Sequence, residues 1–338
     1  MKDLAYSFDD VLIVPQYSDV VSRSECDTTV DLGHGLILAT PIIAANMDTI
    51  CGVKMATEMQ KLGGDGIIHR YMKVTETHNI IQDWKYGNLG KLLLSVGSVR
   101  SDKRRIDLIL QKEQETHNIG ICIDIAHGDS IHMLDTLKYI RHTNKFDNLI
   151  IAGNVCTYEG ACRLFDFGAD VVKVGVGPGS ACTTRIKTGC GYPQLSAISE
   201  CAKAGKVIAD GGIRHYGDAA KALAMGADVV MVGGLFAGTD CTPMWKAADT
   251  QPVEFRGMAS KRARESCGSI GKNAEGISTT VPWQPKGSTQ AVVEELSEGI
   301  RSAMAYSGCR TLEEFQQKSQ IIRVSPSIMS ENRPHIIT

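Results

Sequence analysis

A glycine-rich loop in the middle of the chain carries a cysteine flanked by hydroxyl and cationic side chains. The loop, residues 177–185, reads GPGSACTTR and follows an apolar, β-branched run. Glycines let a backbone approach a ligand closely, and the cation of Arg185 would favour the nucleophilic thiolate form of Cys182. A free cysteine is more often a small buried hydrophobe. The position of Cys182 at the end of a strand favours the catalytic interpretation.

Two further glycine pairs follow apolar runs later in the chain. Asp210 precedes Gly211 and Gly212, and the next apolar run ends at Gly233 and Gly234. Backbone N–H groups exposed at glycines bind anions, and an aspartate can accept hydrogen bonds from ribose hydroxyls. The sequence therefore indicates a phosphate site beside a ribose contact. The alternative is that these glycines only make tight turns.

Other polar residues also stand where apolar runs end. Met47 and Asp48 follow the first run, and Asp124 ends the fourth. An aspartate at such a position equally well caps the next helix. For His69 and His127, a structural role and a role in the site stay open.

Eight short apolar runs alternate with segments of helical period. The runs are 41–46, 65–69, 92–97, 120–126, 149–155, 170–176, 206–212 and 228–234. Nearly continuous apolar runs are typical of parallel strands buried on both faces. Helices are expected at 53–63, 102–116, 129–141, 159–169, 193–205 and 216–227, with a final one from about Val292 to Ala305. Eight such units predict an α/β fold, a (β/α)8 TIM barrel, whose site lies where the strands end.

A doubly wound sheet is the competing architecture, but no G-x-G-x-x-G run follows the first strand. We expect residues 1–338 to form a single catalytic domain. Residues 235–290 are too long for a plain connection and are interpreted as an active-site insertion or flap. The basic run Lys103-Arg104-Arg105 is expected to be a solvated helix face, and the last twenty residues a surface tail.

Composition excludes several classes of function. The net charge of −2 over 338 residues gives no electrostatic case for a nucleic-acid or membrane partner. The start, MKDLAYSFDD, is acidic and lacks the apolar core of a signal peptide. Eleven cysteines without a CxxC pair indicate free thiols rather than a zinc site or a disulfide framework. A cytoplasmic protein with a small-molecule substrate is expected.

Three motifs carry a family resemblance. The runs GVGPGSACTTRIKTGCGYPQLSA, ADGGIRHYGDAAKALAMGADVVMVGG and FRGMAS resemble the IMP dehydrogenase/GMP reductase family. The resemblance extends from FDDVLIVP (Phe8 to Pro15) and AANMDT (Ala44 to Thr49) to IRVSP near the C-terminus. It therefore covers nearly the whole chain.

Three signs favour the reductase branch of that family. The dehydrogenases usually carry CBS modules after the second strand, and the segment from Arg70 to Lys91 is too short for them. They also use an Arg-Tyr pair to activate water, which ESCGSIGKNAEG (Glu265 to Gly276) lacks. Finally, GYPQLSA (Gly191 to Ala197) looks like the reductase form.

The resemblance implies NADPH-dependent reductive deamination of GMP to IMP in purine salvage, with release of ammonia. Cys182 would form a covalent thioimidate with the purine, and Thr184 with Glu275 would protonate the departing amine. One alternative is an IMP dehydrogenase without CBS modules, which oxidises IMP to XMP with NAD. Another is a non-catalytic nucleotide-sensing barrel.

The resemblance also implies the binding residues. Those for the substrate are Met47, Ser180, Asp210, Gly211, Gly212, Gly233, Gly234, Gly257, Met258 and Ala259. Those for NADPH are Ser22, Arg23, Arg70, Asp124, Ile125, Ala126, Val176, Gly177, Met258 and Ser302, with Ser22 and Arg23 coming from an adjacent subunit of a homotetramer. Carbonyl groups around Gly177, Gly179, Cys182 and Arg185 match a site for K+ or another monovalent cation.

Two of these positions depart from the family pattern. Arg70 stands where reductases of the animal type carry lysine, and Ala259 stands where glycine or serine is usual.

Overall fold

The computed structural model describes residues 4–87, 90–244, 252–266, 274–282 and 287–332. Its strands, in chain order, are β1 (Val11–Val14), β2 (Val30–Asp31), β3 (Ile37–Leu38), β4 (Ile42–Ala44), β5 (Asp65–Ile68), β6 (Leu92–Val96), β7 (Ile119–Asp124), β8 (Ile150–Val155), β9 (Val171–Val174), β10 (Val207–Asp210), β11 (Val229–Val232), β12 (Val253–Arg256), β13 (Ser278–Val281) and β14 (Gln320–Arg323).

Strands β4 to β11 close into a parallel barrel in chain order, and β11 pairs with β4 to complete the ring. Each of the eight apolar runs overlaps one of these strands, so the predicted (β/α)8 barrel is confirmed. Alternate residues of a strand point to opposite faces. In β4, Ile43 therefore packs inside the barrel, whereas Ile42 and Ala44 pack under the surrounding helices. Burial on both faces explains why the runs are apolar throughout.

The helices cover the outside of the barrel and one end of it. They are α1 (Val53–Lys61), α2 (Val74–Tyr86), α3 (Val99–Thr116), α4 (Ile131–Leu137), α5 (Tyr158–Asp166), α6 (Thr184–Thr188), α7 (Gln194–Cys201), α8 (Tyr216–Ala224), α9 (Lys261–Ser266), α10 (Thr289–Tyr306), α11 (Leu312–Lys318) and α12 (Ile328–Glu331). A π-helical turn, Lys138–Thr143, extends α4. Side-chain caps start α5 at Thr157, α10 at Ser288 and α11 at Thr311. The predicted helices are thus all present.

The basic run on α3 is only partly solvated, so the expectation for it is wrong at one residue. Lys103 and Arg104 are exposed, but Arg105 is buried. Its guanidinium donates to Asp102 on its own helix, to the carbonyl of Met72 at 2.6 Å and to the Thr77 hydroxyl. Arg105 therefore joins α3 to α2, because the packing of the two helices buries it where those acceptors lie.

The expectation that the last twenty residues form a surface tail is also wrong in part. Strand β14 pairs antiparallel with β1, and Val11 lies opposite Arg323. Arg323 also donates to the Tyr6 hydroxyl at 2.7 Å. The two ends of the described chain are therefore joined in one small sheet. The last six residues, 333–338, lie outside the described residues.

The expected insertion, 235–290, is described in part. It contains the antiparallel pair of β12 and β13, in which Arg256 lies opposite Ser278, and the short helix α9. Residues 245–251, 267–273 and 283–286 lie outside the described residues. Its role as a flap stays a prediction.

None of the helices in the described part of the chain combines the length and apolar character that a membrane span requires.

A buried carboxyl group at the far end of the barrel predicts a pH-dependent stability. Burial raises the pKa of Asp65 to about 7, against smaller opposing effects of the Gly66 N–H, Gln60 and Lys91. The folded state then holds a proton that the unfolded chain releases near the ordinary value of 3.8. The stabilisation is full below pH 4 and is lost as the pH rises to about 7.

We therefore expect the free energy of unfolding of the parent to fall by roughly 1 to 4 kcal/mol more than that of Asp65→Asn between pH 4 and pH 8. Denaturant unfolding at both pH values measures the difference. Equal losses in the two proteins would contradict a protonated Asp65.

Candidate functional site

A cavity of about 350 Å³ opens where the barrel strands end, a size typical of small-molecule sites. Residues at the ends of β4, β5, β7, β8, β9, β10 and β11 or in the loops after them line it, together with residues 257–259, Arg264 and Glu275. All residues assigned to the substrate line this cavity: Met47, Ser180, Asp210, Gly211, Gly212, Gly233, Gly234, Gly257, Met258 and Ala259. Residues from distant parts of the chain therefore meet in one place.

The three residues expected to carry the chemistry form a chain of hydrogen bonds. The Cys182 thiol donates to Oγ1 of Thr184 at 3.2 Å. The Thr184 hydroxyl donates in turn to Oε2 of Glu275 at 2.9 Å. Thr184 is the first residue of α6, so the helix start fixes its position next to the cysteine. This arrangement can pass a proton between the sulfur and the carboxylate.

Backbone pairing holds Glu275 against the cysteine loop. The Thr183 N–H donates to the Glu275 carbonyl at 2.9 Å, and the Ile277 N–H donates to the Ala181 carbonyl at 3.0 Å. We call residues 275–277 the paired segment. A Cβ atom on Gly276 would lie 3.0 Å from the Ser260 nitrogen, so the close approach requires glycine there.

Gly257 and Met258, which the resemblance assigns to the substrate, are held in place by side-chain hydrogen bonds. Arg256 at the end of β12 donates to Oδ2 of Asp48 from Nη2 at 2.5 Å and from Nε at 3.0 Å. The Tyr71 hydroxyl donates to the Met258 carbonyl at 2.8 Å. Asp48 thus holds β12 and lies outside the set of cavity-lining residues. Its neighbour Met47 lines the cavity.

The glycine loops converge at one end of the cavity. Gly211 and Gly212 have φ angles of +91° and +85°, which favour glycine. A Cβ on Gly211 would lie 3.1 Å from the Gly179 nitrogen, and one on Gly234 would lie 3.1 Å from Oγ of Ser180. The loops after β10 and β11 therefore both lie close to the loop after β9, and together they make a cradle that suits a phosphate.

Sequence reasoning missed a buried lysine under the cavity. Lys173 on β9 is 1% exposed. Its ammonium donates to Oδ1 of Asp124 at 2.8 Å, to Oδ2 of Asp210 at 2.6 Å and to Oδ1 of Asn154. Burial opposes the charge, but the two carboxylates outweigh it and raise the pKa of Lys173. A lysine inside an apolar strand was the available signal, because an unpaired lysine is almost never fully buried.

The residues expected to hold the cofactor fall into two groups. Those that line the cavity are Arg70, Asp124, Ile125, Ala126, Val176, Gly177 and Met258. Ser22, Arg23 and Ser302 do not line it. Arg23 lies 3.8 Å from Glu298 of α10, the helix that also carries Ser302. The structure therefore gathers this second group on a separate part of the surface.

Arg70 is the departure from the family pattern on the cavity wall. Its guanidinium carbon lies 4.9 Å from the centre of the Tyr71 ring. Its Nε is buried and has no hydrogen-bond partner among the described residues. A buried donor without a partner is costly, and other atoms of Arg70 line the cavity.

Arg185 does not contact the cysteine in the way that the sequence suggested. Its guanidinium donates to the carbonyls of Val176 at 3.3 Å and Tyr192 at 2.5 Å. It packs across Gly177, where a Cβ would lie 2.5 Å from Cγ of Arg185. Arg185 therefore closes the loop. The contact that the structure gives the Cys182 thiol is the Thr184 hydroxyl.

The two histidines at strand ends both lie outside the cavity lining, although one is buried and the other exposed. Burial lowers the pKa of His69 to about 4, so the ring is neutral, and its Nδ1 accepts the Tyr71 N–H at 3.2 Å. His69 is a structural residue outside the cavity lining. His127 is exposed and is likewise not among the lining residues.

Comparisons with known proteins agree with one another. A family model described as IMP dehydrogenase / GMP reductase domain matches residues 5–335. A protein of Buchnera aphidicola subsp. Schizaphis graminum named GMP reductase is 39% identical over 338 residues, which cover 96% of this chain and 95% of the relative. Mouse GMP reductase 1 is 38% identical over 344 residues, and GMP reductase of Shewanella halifaxensis is 37% identical over 337 residues; each match covers 96% of both chains.

Proposed function

This chain belongs to the IMP dehydrogenase / GMP reductase family, and we propose that it reduces GMP to IMP with NADPH and releases ammonia. The observation that carries the proposal is the hydrogen-bonded chain from Cys182 through Thr184 to Glu275. The names of the relatives support the reductase branch. Purine nucleotide salvage is the role that follows from this reaction.

The hydrogen bonds give the proton a route in both directions. Glu275 accepts a proton from the Cys182 thiol through the Thr184 hydroxyl and leaves a thiolate. The thiolate attacks carbon 2 of the guanine ring. The same proton returns through Thr184 to the departing amine, which leaves as ammonia. A hydroxyl alone is a poor acid, so Thr184 needs the carboxyl group behind it.

The product of this half-reaction is a thioimidate, with carbon 2 of the purine bonded to the Cys182 sulfur. When bound, NADPH supplies the hydride for carbon 2. The carbon–sulfur bond then breaks, and Cys182 departs as a thiolate. One GMP, one NADPH and one proton thus give IMP, NADP+ and ammonia.

The cavity residues fit both ligands. Gly211, Gly212 and Gly234 with Ser180 form a cradle that suits the phosphate of GMP, and Asp210 beside them suits its ribose. Asp124 and Arg70 line the side of the cavity that we assign to NADPH. An arginine at this position keeps the positive charge of the lysine in animal reductases.

A monovalent cation, K+ by resemblance, is proposed at the cysteine loop. Gly179 and Cys182 are joined by a backbone hydrogen bond of 2.9 Å, and Arg185 packs on Gly177. Both pairs lie in the loop of residues 177–185, and carbonyl oxygens suit such a hard cation.

We also propose a cytoplasmic homotetramer with a single catalytic domain per chain. Tyr17 and Val21 are 92% and 93% exposed beside Ser22 and Arg23. Contiguous exposed apolar patches mark interaction sites, and these two side chains would contribute to one. A neighbouring subunit that covers them would bring Ser22 and Arg23 to its own cofactor. The ten described cysteines are all unpaired, which suits a reducing compartment.

The rival is an IMP dehydrogenase without CBS modules, and one measurement separates the two. We expect the absorbance of reduced nicotinamide to fall when purified protein is mixed with GMP and NADPH, with IMP as the product. No loss with GMP and NADPH, together with a gain when IMP and NAD are supplied, would overturn the proposal in favour of the dehydrogenase. Nucleotide binding with turnover in neither direction would support a sensor.

A further inference from the structure

One ammonium group lies between two carboxylates that we assign to different ligands. Asp210 is assigned to the ribose of GMP and Asp124 to the cofactor, and the Lys173 nitrogen contacts both. We propose that Lys173 is a positioning residue that links the substrate and cofactor sites through this shared contact. The inference rests on the proposed function, because that function gives the two carboxylates their ligands.

Lys173 has no donor left for a ligand. An ammonium group has three N–H donors. Those of Lys173 go to Asp124, Asp210 and Asn154. With the side chain 1% exposed, Lys173 acts on ligands only through the residues that it holds.

The contacts of Asp210 leave one of its oxygens for a ligand. Oδ2 accepts from Lys173 at 2.6 Å and from Nδ2 of Asn154 at 2.8 Å. Asn154 also donates to the Gly175 carbonyl at 2.8 Å, which fixes its amide. The carboxylate therefore cannot rotate freely, and Oδ1 is the oxygen that remains for a ribose hydroxyl.

The shared cation attracts both carboxylates and holds them close to each other. Burial would raise the pKa of Asp124, but Lys173, together with Arg70 and Asn46, more than compensates and lowers it. Without the ammonium, the two carboxylates would lose the cation that they share and would repel each other, so their side chains would move apart. A change in the charge of either carboxylate therefore alters the interaction of Lys173 with the other carboxylate.

The first experiment compares two buried lysines. Lys173→Met removes the shared contact. Lys91→Met is the matched control: Lys91 is 9% exposed and donates to Asn148 at 2.7 Å at the start of β6, at the opposite end of the barrel. Titration calorimetry measures the affinity for GMP alone and for NADP+ added to the GMP-saturated enzyme.

We expect Lys173→Met to weaken both affinities by about 10- to 100-fold and Lys91→Met to leave both within about twofold. Weakening of a single ligand by Lys173→Met overturns the link between the sites. Equal losses in the two variants also overturn it, because they indicate a general loss of packing.

The second experiment leaves Lys173 in place and needs only the two aspartates. We expect Asp124→Asn to change the GMP affinity, measured without cofactor, by at least about threefold. Asp210→Asn is expected to change the NADP+ affinity of the enzyme by a similar factor. These cross-effects test the inference even where Lys173→Met does not fold, and their absence overturns it.

Failure of the proposed function is visible in the parent protein, as a lack of NADPH oxidation with GMP. Failure of the Lys173 inference is visible only in the variants, with the parent active. A parent that does not bind GMP overturns both.

Discussion

Replacement of Cys182 with alanine is expected to lower kcat by about four orders of magnitude or more and to leave GMP binding within about tenfold. The covalent step needs the sulfur, whereas the phosphate cradle and Asp210 hold the nucleotide without it. NADPH oxidation measures turnover, and calorimetry measures binding. Mass spectrometry of the parent with GMP alone should detect a purine adduct that Cys182→Ala lacks.

Cys190→Ala is the matched control for this substitution. Cys190 is exposed, lies eight residues after Cys182, and donates weakly to the carbonyl of Thr188. It is outside the cavity lining, so parent-like turnover is expected. Turnover of Cys182→Ala above about one per cent of the parent would exclude covalent catalysis by this residue.

The second large effect concerns the proton route. Thr184→Val and Glu275→Gln are each expected to lower kcat by about 10²- to 10⁴-fold, because each breaks the chain between the sulfur and the carboxylate. Since the two residues act as a unit, the double variant should be little worse than the poorer single one. Single-turnover kinetics of ammonia release measures the step directly.

Thr183→Val is the control for the hydroxyl group. Oγ1 of Thr183 is buried without a hydrogen-bond partner among the described residues, so its loss should cost little activity. Additive losses in the double variant would mean that Thr184 and Glu275 act separately, and the relay would then be wrong.

The barrel and most of the site could be predicted from the sequence because they depend on local patterns. A strand buried on both faces has to be apolar, and the end of such a strand identifies a residue that faces the site, as at Cys182 and Asp210. The family resemblance then added Glu275, which no local pattern near Cys182 indicates. The position of Asp124 at the end of a strand identified it as a candidate site residue, but the sequence did not indicate its partner, Lys173.

What escaped prediction depends on which side chains meet across the fold. Lys173 is apparent in the sequence as a lysine in an apolar run, but its two carboxylates come from β7 and β10. Arg105 looks like its exposed neighbours until α2 supplies acceptors for it. Arg185 lies three residues from Cys182, yet its guanidinium reaches the Tyr192 carbonyl instead. Proximity along the chain does not fix the direction of a long side chain.

The position of Glu275 depends on the register of the paired segment, that is, on which of its residues pairs with which residue of the cysteine loop. Successive residues of an extended segment point to opposite sides, so a shift of pairing by a single residue would turn the Glu275 carboxylate away from Thr184. The same shift would put a side chain at the position of Gly276, where a Cβ atom would lie 3.0 Å from the Ser260 nitrogen. Among natural variants of this chain, insertions and deletions that preserve this pairing should survive with activity, and those that displace it by one residue should not.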